Sequence, residues 1–249
     1  MNPRVELPLG TVRLVMAAGS EIGNRYDANY DVLHLDPDRP LVIVADGMGD
    51  GRGSAIAGRT AVDVFVAETA AAGWPLGPRA LRSAVATVQQ RVRAAGRDLI
   101  ELTGCTLTAF VGGAPDDPGA AWLVQLGDSR AYRLRGGLLE LLTVDHTMAW
   151  LGAVYGWFTP DSAEGRAARY RLTRYVGSLE APEPDVLSVT MHPGDVYCLC
   201  TDGLEEIPYQ RLADVLGQPD PAEAVATLLA DTLAAGGRDN ATVAVIRVE

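Results

Sequence analysis

The chain contains no lysine, so all 21 of its basic residues are arginine. That removes a P-loop lysine, a Schiff-base lysine and a lysine general base from the available chemistry. Arginine must supply any fixed positive charge that meets a substrate. Cysteine is also scarce, with 3 residues, Cys105, Cys198 and Cys200. So odd and sparse a set makes neither a disulfide framework nor a zinc site with two thiol pairs. Cys198 and Cys200 would face one side of a strand, and buried core thiols are the expected role. No stretch reaches the roughly 20 apolar residues that span a bilayer. Met1–Leu14 lacks the basic-then-apolar pattern of a secretion signal. A reducing, cytoplasmic setting without membrane contact is therefore expected. The net charge of -11 argues against nucleic-acid partners, whose phosphates are bound by clustered cations.

The chain has 249 residues, 48% of them hydrophobic, and nothing along it reads as a linker. One domain spanning 1–249 is expected. Strand-like runs fall at Val12–Ala17, Val32–Leu35, Leu41–Ala45, Thr106–Val111, Ala121–Leu126, Ala131–Leu134, Leu138–Leu142, Val186–Met191, Val196–Cys200 and Thr242–Val248. Arg135-Gly136-Gly137 reads as a hairpin turn, because glycine supplies positive φ. Helical spacing predicts helices over Ser54–Ala72 with Ser54 as N-cap, over Arg79–Ile100, and over Pro221–Ala235 with Asp220 as N-cap. Strands and helices do not alternate one for one, which disfavours a doubly wound parallel sheet. Antiparallel sheets with helices packed outside are expected.

Several apolar runs stop at a carboxylate. Val42–Ala45 ends at Asp46-Gly47-Met48-Gly49, and Tyr197–Thr201 ends at Asp202-Gly203. Asp239-Asn240 precedes the last strand and Asn29-Tyr30-Asp31 opens an early one. Any one Asp-Gly is ordinary turn chemistry. If all four converge, they require cations, since two carboxylates ~5 Å apart repel by about 3 kcal/mol at an effective dielectric near 20. All-oxygen ligands favour magnesium or manganese over zinc or copper.

These motifs resemble, in order, those of the metal-dependent type 2C (PPM) protein phosphatases in their short bacterial form. Gly104-Cys105-Thr106-Leu107, Gly127-Asp128-Ser129-Arg130, Leu142-Thr143-Val144-Asp145-His146 and Asp239-Asn240-Ala241-Thr242 complete the set. The resemblance implies an α+β fold, a four-layer α-β-β-α sandwich of two facing antiparallel sheets flanked by helices. It implies two Mn2+ or Mg2+ ions, with Asp46 bridging, the Gly47 carbonyl as a further ligand, Asp202 and Asp239 on one ion and Asp31 supporting the other. Asp128 matches the ligand of a third, weaker ion. The implied reaction is attack of a bridging hydroxide on phosphoserine or phosphothreonine in a protein, such as a bacterial Ser/Thr kinase target or regulator.

The chain also departs from that pattern. Tyr30 replaces an acidic or amide residue; it can hydrogen-bond a metal-bound water but contributes no charge, while Asp50 stands in place of a glycine. The family's phosphate-binding arginine falls on Tyr26, one residue after Arg25, which becomes the candidate for substrate phosphate. His146 is a candidate leaving-group acid or a brace for a hairpin turn. At about 147–170, where the family carries a variable flap, Trp150, Tyr155, Trp157 and Phe158 cluster, as a core anchor or as a docking or dimer surface. Two further readings stay open: a small-metabolite phosphatase, and a catalytically weak phosphatase fold used for binding.

Overall fold

The apolar runs without polar alternation become strands covered on both faces, as continuous hydrophobicity demands. In the computed structural model, which describes residues 3–114, 116–159 and 161–249, β4 (Leu41–Ala45) and β10 (Val196–Cys200) are buried at every position. One sheet runs in the order β1 (Arg4–Leu9), β2 (Val12–Glu21), β11 (Ala241–Val248), β10, β7 (Arg130–Arg135), β8 (Leu138–Leu141). The other runs β3 (Val32–Leu35), β4, β5 (Leu107–Ala114), β6 (Asp117–Leu126), β9 (Asp185–Thr190). Every pairing is antiparallel.

The facing sheets share a core that includes Leu14, Met16, Val44, Phe110, Tyr197 and Ile246. On β11 the side chains alternate. Ala244, Ile246 and Val248 face the opposite sheet, while Val243 and Val245 face the helices, the period of two that a strand imposes. Helices α1 (Arg52–Ala72) and α2 (Pro78–Ala95) cover the five-stranded sheet, with Phe65, Leu81, Val85 and Val88 against Ile43 and Leu107. On the other side, α5 (Tyr209–Leu216) and α6 (Pro221–Ala234) set Leu212, Val225 and Leu228 against Cys198 and Val243. The layers are α-β-β-α, as the family resemblance implied. Two short helices, α3 (Met148–Tyr155) and α4 (Ala163–Ala168), form the flap between β8 and β9.

The sequence expectations err mainly at element ends. Helix α2 stops at Gly96 instead of reaching Ile100, which is fully exposed. A Cβ on Gly96 would lie 2.4 Å from Thr103 Cβ, so the chain turns there against its own return. Helix α1 starts earlier than expected, with Gly51 as N-cap. Ser54 lies inside it and donates to the Met48 carbonyl at 2.5 Å. Strand β1 went unread because it is a half-buried edge strand carrying Pro8, which edges tolerate. Asp220 does cap α6, accepting from the Ala222 N–H at 2.8 Å. Gly136 and Gly137 both take positive φ in the β7–β8 hairpin. All 3 cysteines are free and buried. Among the described residues no helix is long and apolar enough to cross a membrane.

Candidate active site

At one end of the sandwich, where β4 and β10 stop and β11 begins, Asp46, Asp128, Asp202 and Asp239 line a cavity of about 300 Å³. Asp46 is fixed by both its backbone groups. Its N–H donates to Thr106 Oγ1 at 2.9 Å and its carbonyl accepts from the Thr106 N–H at 2.8 Å. A Cβ on the following Gly47 would lie 2.7 Å from the Tyr30 carbonyl. A Cβ on Gly203, after Asp202, would lie 2.0 Å from the Asn240 carbonyl. These glycines let the carboxylate-bearing loops approach one another closely.

Asp31 reaches the group from the side. Thr201 and Thr242 hydroxyls donate to its Oδ2 at 2.9 and 2.7 Å. Because Thr242 spends its only hydroxyl proton on Asp31, the 2.6 Å contact with Ser20 makes Ser20 the donor. Asn29 Nδ2 in turn donates to Ser20 at 2.7 Å, and its Oδ1 accepts the Asp31 N–H at 3.0 Å. Asn240 Oδ1 accepts the Tyr30 N–H at 2.8 Å, joining the first aspartate loop to the last.

The carboxylates perturb one another. Desolvation is the largest cause in every case; hydrogen bonds from Thr242 and Thr201 offset it at Asp31, and neighbouring carboxylates add to it at Asp46, Asp128 and Asp202. Asp31 rises to about 7, Asp202 to about 6 and Asp128 to about 8. Asp46 rises well above the ordinary carboxylate range, by desolvation and by the charges of Asp31, Asp202 and Asp128. It is thus the electrostatic centre of the group. Asp239 is raised by desolvation, offset by the Asn240 N–H and Arg25. Among the described residues, Asp202 Oδ1 is buried without a hydrogen-bond partner.

Among the described residues no three His, Cys, Asp or Glu side chains close into a ready cage. The arrangement is an open oxygen shell. Desolvated, mutually repelling carboxylates and an orphaned carboxylate oxygen fit hard divalent cations, which complete their coordination with carbonyls and water.

Some expected roles fall elsewhere. Tyr30 does not point its hydroxyl at the carboxylates but donates it to the Asp50 carbonyl at 2.6 Å, with Asp50 an exposed turn residue. Tyr26 lines the cavity. Arg25 is exposed, its guanidinium 5.2 Å over the Tyr26 ring, and it acts on Asp239. Residues 22–31 are loop rather than strand, so the strand alternation that would turn Arg25 to the opposite face does not apply.

His146 is buried, accepts the Gly127 N–H at Nδ1 (3.1 Å) and meets Asp185 at Nε2 (2.9 Å). It braces a turn and does not line the cavity. Arg130 is bound bidentately by Asp145, at 2.9 Å through Nε and 2.6 Å through Nη2, so it is not a free phosphate ligand. In the flap, Phe158 packs on Gly152, while Trp150, Tyr155 and Trp157 are 47%, 65% and 59% exposed. Trp150 and Tyr170 line a second cavity of about 240 Å³ that shares Asp128 and Asp202 with the first.

Comparison with known proteins agrees with this geometry. The profile of the family described as "Protein phosphatase 2C" matches residues 25–243. The serine/threonine protein phosphatase PstP of Mycobacterium tuberculosis is 35% identical over 152 residues, 60% of this chain and 28% of that protein. This chain therefore corresponds to less than a third of that relative. Among solved structures, PppA, a key regulatory component of T6SS in Pseudomonas aeruginosa, superposes with a TM-score of 0.83 at 32% identity, covering 95% of this chain and 98% of that one. The catalytic domain of PstP in complex with 2 manganese ions gives 0.83 at 29% identity, covering 96% and 99%. The chain belongs to the protein phosphatase 2C family.

Proposed function

We propose that this chain is a metal-dependent phosphatase acting on phosphoserine and phosphothreonine in proteins, with the whole chain working as one catalytic domain. The observation that carries the reading is the desolvated group of Asp31, Asp46, Asp128, Asp202 and Asp239 around an unpartnered Asp202 oxygen. In this reading Asp46 bridges two Mn2+ or Mg2+ ions with the Gly47 carbonyl as a further ligand. Asp202 and Asp239 hold one ion, Asp31 supports the other, and Asp128 serves a third, weaker site. Such ions supply Lewis acidity toward a phosphoryl group and lower the pKa of water. The chain's own contribution is position: the hydroxyls of Thr201 and Thr242 orient Asp31, and Tyr26 lines the cavity with Arg25 stacked on its ring, where an entering phosphate would meet them.

A protein substrate, such as a bacterial kinase target or regulator, is supported by the names of the relatives and by the open rim beside the flap. The exposed Trp150, Tyr155 and Trp157 give that substrate, or a second copy, an apolar surface to dock on. A cytoplasmic setting belongs to the same reading and is supported by the 3 free cysteines.

The test is hydrolysis of p-nitrophenyl phosphate with manganese, abolished by chelator, followed by a panel of phosphopeptides against sugar and nucleotide phosphates. Inactivity at every concentration of both metals sinks the enzyme reading in favour of a binding module. Preference for the small phosphates sinks the protein-substrate part alone. Trp157→Ala is expected to weaken action on phosphoprotein while sparing the aryl phosphate, and equal loss on both counts against docking.

A further inference from the structure

A cavity of about 520 Å³ opens at the edge of the sandwich, away from the carboxylates, and is lined by Arg82, Gln125, Arg174 and Asp185 among others. Asp185 begins the edge strand β9 and pairs in register with Gln125 of β6. Both residues reach back toward the turn that carries Asp128. Gln125 Nε2 donates to the carbonyls of Gly127 (3.0 Å) and Val144 (2.9 Å). Gly127 has φ +106°, and a Cβ there would lie 2.5 Å from Thr106 Cγ2. This glycine turn has no side chain of its own to fix it, so surrounding hydrogen bonds must do so. His146 supplies two of them: its backbone N–H donates to the Gly127 carbonyl at 3.1 Å, and its ring Nδ1 accepts the Gly127 N–H at 3.1 Å.

The ring bond fixes the tautomer. A backbone N–H only donates, so Nδ1 carries no proton, and the neutral imidazole must hold its proton on Nε2. Asp185 Oδ2 lies 2.9 Å from Nε2 and accepts it. Arg174 Nη1 is 2.8 Å from the same nitrogen. It cannot donate to a nitrogen that already bears a proton, and its guanidinium is held by Asp185 Oδ1 at 2.9 Å and by the Glu183 carbonyl. Asp185 therefore decides between two states. With its carboxylate present, the proton stays on Nε2 and Nδ1 receives Gly127. Without it, Arg174 is free to donate to Nε2, the ring proton moves to Nδ1, and two N–H groups face each other at Gly127.

We propose that Asp185 is a positioning residue, holding the Gly127–Asp128 turn in place through the tautomer of His146. The inference rests on the reading of Asp128 as a ligand of the weaker cation. An outer partner of this kind tunes a site by orienting what lies in front of it.

The experiment compares the whole chain with its Asp185→Ala, Asp185→Asn and Asp128→Asn variants. Side-chain 15N spectra of the Mg2+-loaded protein report the His146 tautomer, amide exchange reports Gly127, and Mn2+ isotherms report each cation site. Asp185→Ala is expected to move the proton from Nε2 to Nδ1 and to speed Gly127 exchange about tenfold. It should weaken the weakest Mn2+ site about tenfold and leave the tighter sites unchanged. Asp185→Asn keeps an oxygen for Nε2–H and is expected to restore all three readings. An Asp185→Ala protein with the Nε2–H tautomer and unchanged Gly127 exchange overturns the proposal while leaving Asp128 a ligand. Unaltered Mn2+ binding in Asp128→Asn overturns the reading of Asp128, and the proposal with it.

Discussion

The two ends of the cleft hold their carboxylates by opposite means. At Asp31, two hydroxyls donate straight into one carboxylate oxygen, and the chain of donors continues through Ser20 to Asn29. At Asp128, among the described residues, no other side chain donates to the carboxylate. The turn is gripped instead through its backbone, by His146 and Gln125. An oxygen fixed by direct donors is preorganised for a cation, whereas one carried on a braced turn keeps its freedom to move. In the proposed reading, that difference suits the Asp31 end to a standing role and the Asp128 end to an adjustable one.

The largest expected effect compares these ends with the centre they share. Asp46→Asn should lower kcat on an aryl phosphate about 100- to 1000-fold, the scale of losing a central electrostatic element, and Asp128→Asn only about tenfold. Equal losses would erase the distinction between centre and periphery.

Next comes the stability of the cation-free protein. Asp202, Asp31 and Asp128 are raised to about 6, 7 and 8, against about 3.9 in an unfolded chain. The folded state therefore binds more protons than the unfolded state between these values. The stability these three groups contribute is full below about pH 4 and is lost as pH rises toward 8. In chelator, a thermal scan should show Tm falling from pH 5 to pH 8, at about 2–4 °C for each kcal/mol of this contribution lost. Added Mn2+ should cancel the fall, and a Tm rising with pH in chelator would contradict it.

A smaller effect isolates one end. Thr242→Val removes a donor to a charged oxygen and should cost about 1.5 kcal/mol of cation affinity. A Mn2+ isotherm should show that cost in the tight component, leaving the weak one intact. The smallest concerns the rim. Arg25→Ala should raise KM for a phosphopeptide about 3- to 5-fold, the worth of an exposed charge contact, with kcat within about twofold; a collapse in kcat would make Arg25 part of the centre.

Much of this site was readable because burial and charge meet abruptly in the sequence. Leu41–Ala45 and Val196–Cys200 are apolar at nearly every position, and each ends within a residue or two of an aspartate followed by glycine. Strand, end and ligand candidate thus come from one short string. The support for Asp31 was not readable. Thr201 and Thr242 meet only because β10 and β11 pair in one register, with Cys200 opposite Val243. Nothing local to either threonine announces a carboxylate 170 or 211 residues away, on the loop before β3. The partner of Tyr30 is hidden for a similar reason, since its hydroxyl goes to the Asp50 carbonyl on a loop whose path the sequence does not give. The end of α2 was misread more simply: Leu99 continues the helical period, but Gly96 interrupts it first.

Strand β11 lies at the middle of its sheet, between β2 and β10, although it is the last strand in the chain. That placement orders events in time. Until β11 inserts, β2 and β10 are two unsatisfied edges, Asp239 has no fixed address, and Asp31 lacks the Thr242 hydroxyl. The β3–β4 and β5–β6 hairpins can form early from local contacts, but the sandwich closes only when residues 241–248 pair between β2 and β10. The residues of the proposed cation site thus converge only at the step that makes the sheet's long-range pairings, which is also the slowest kind to form.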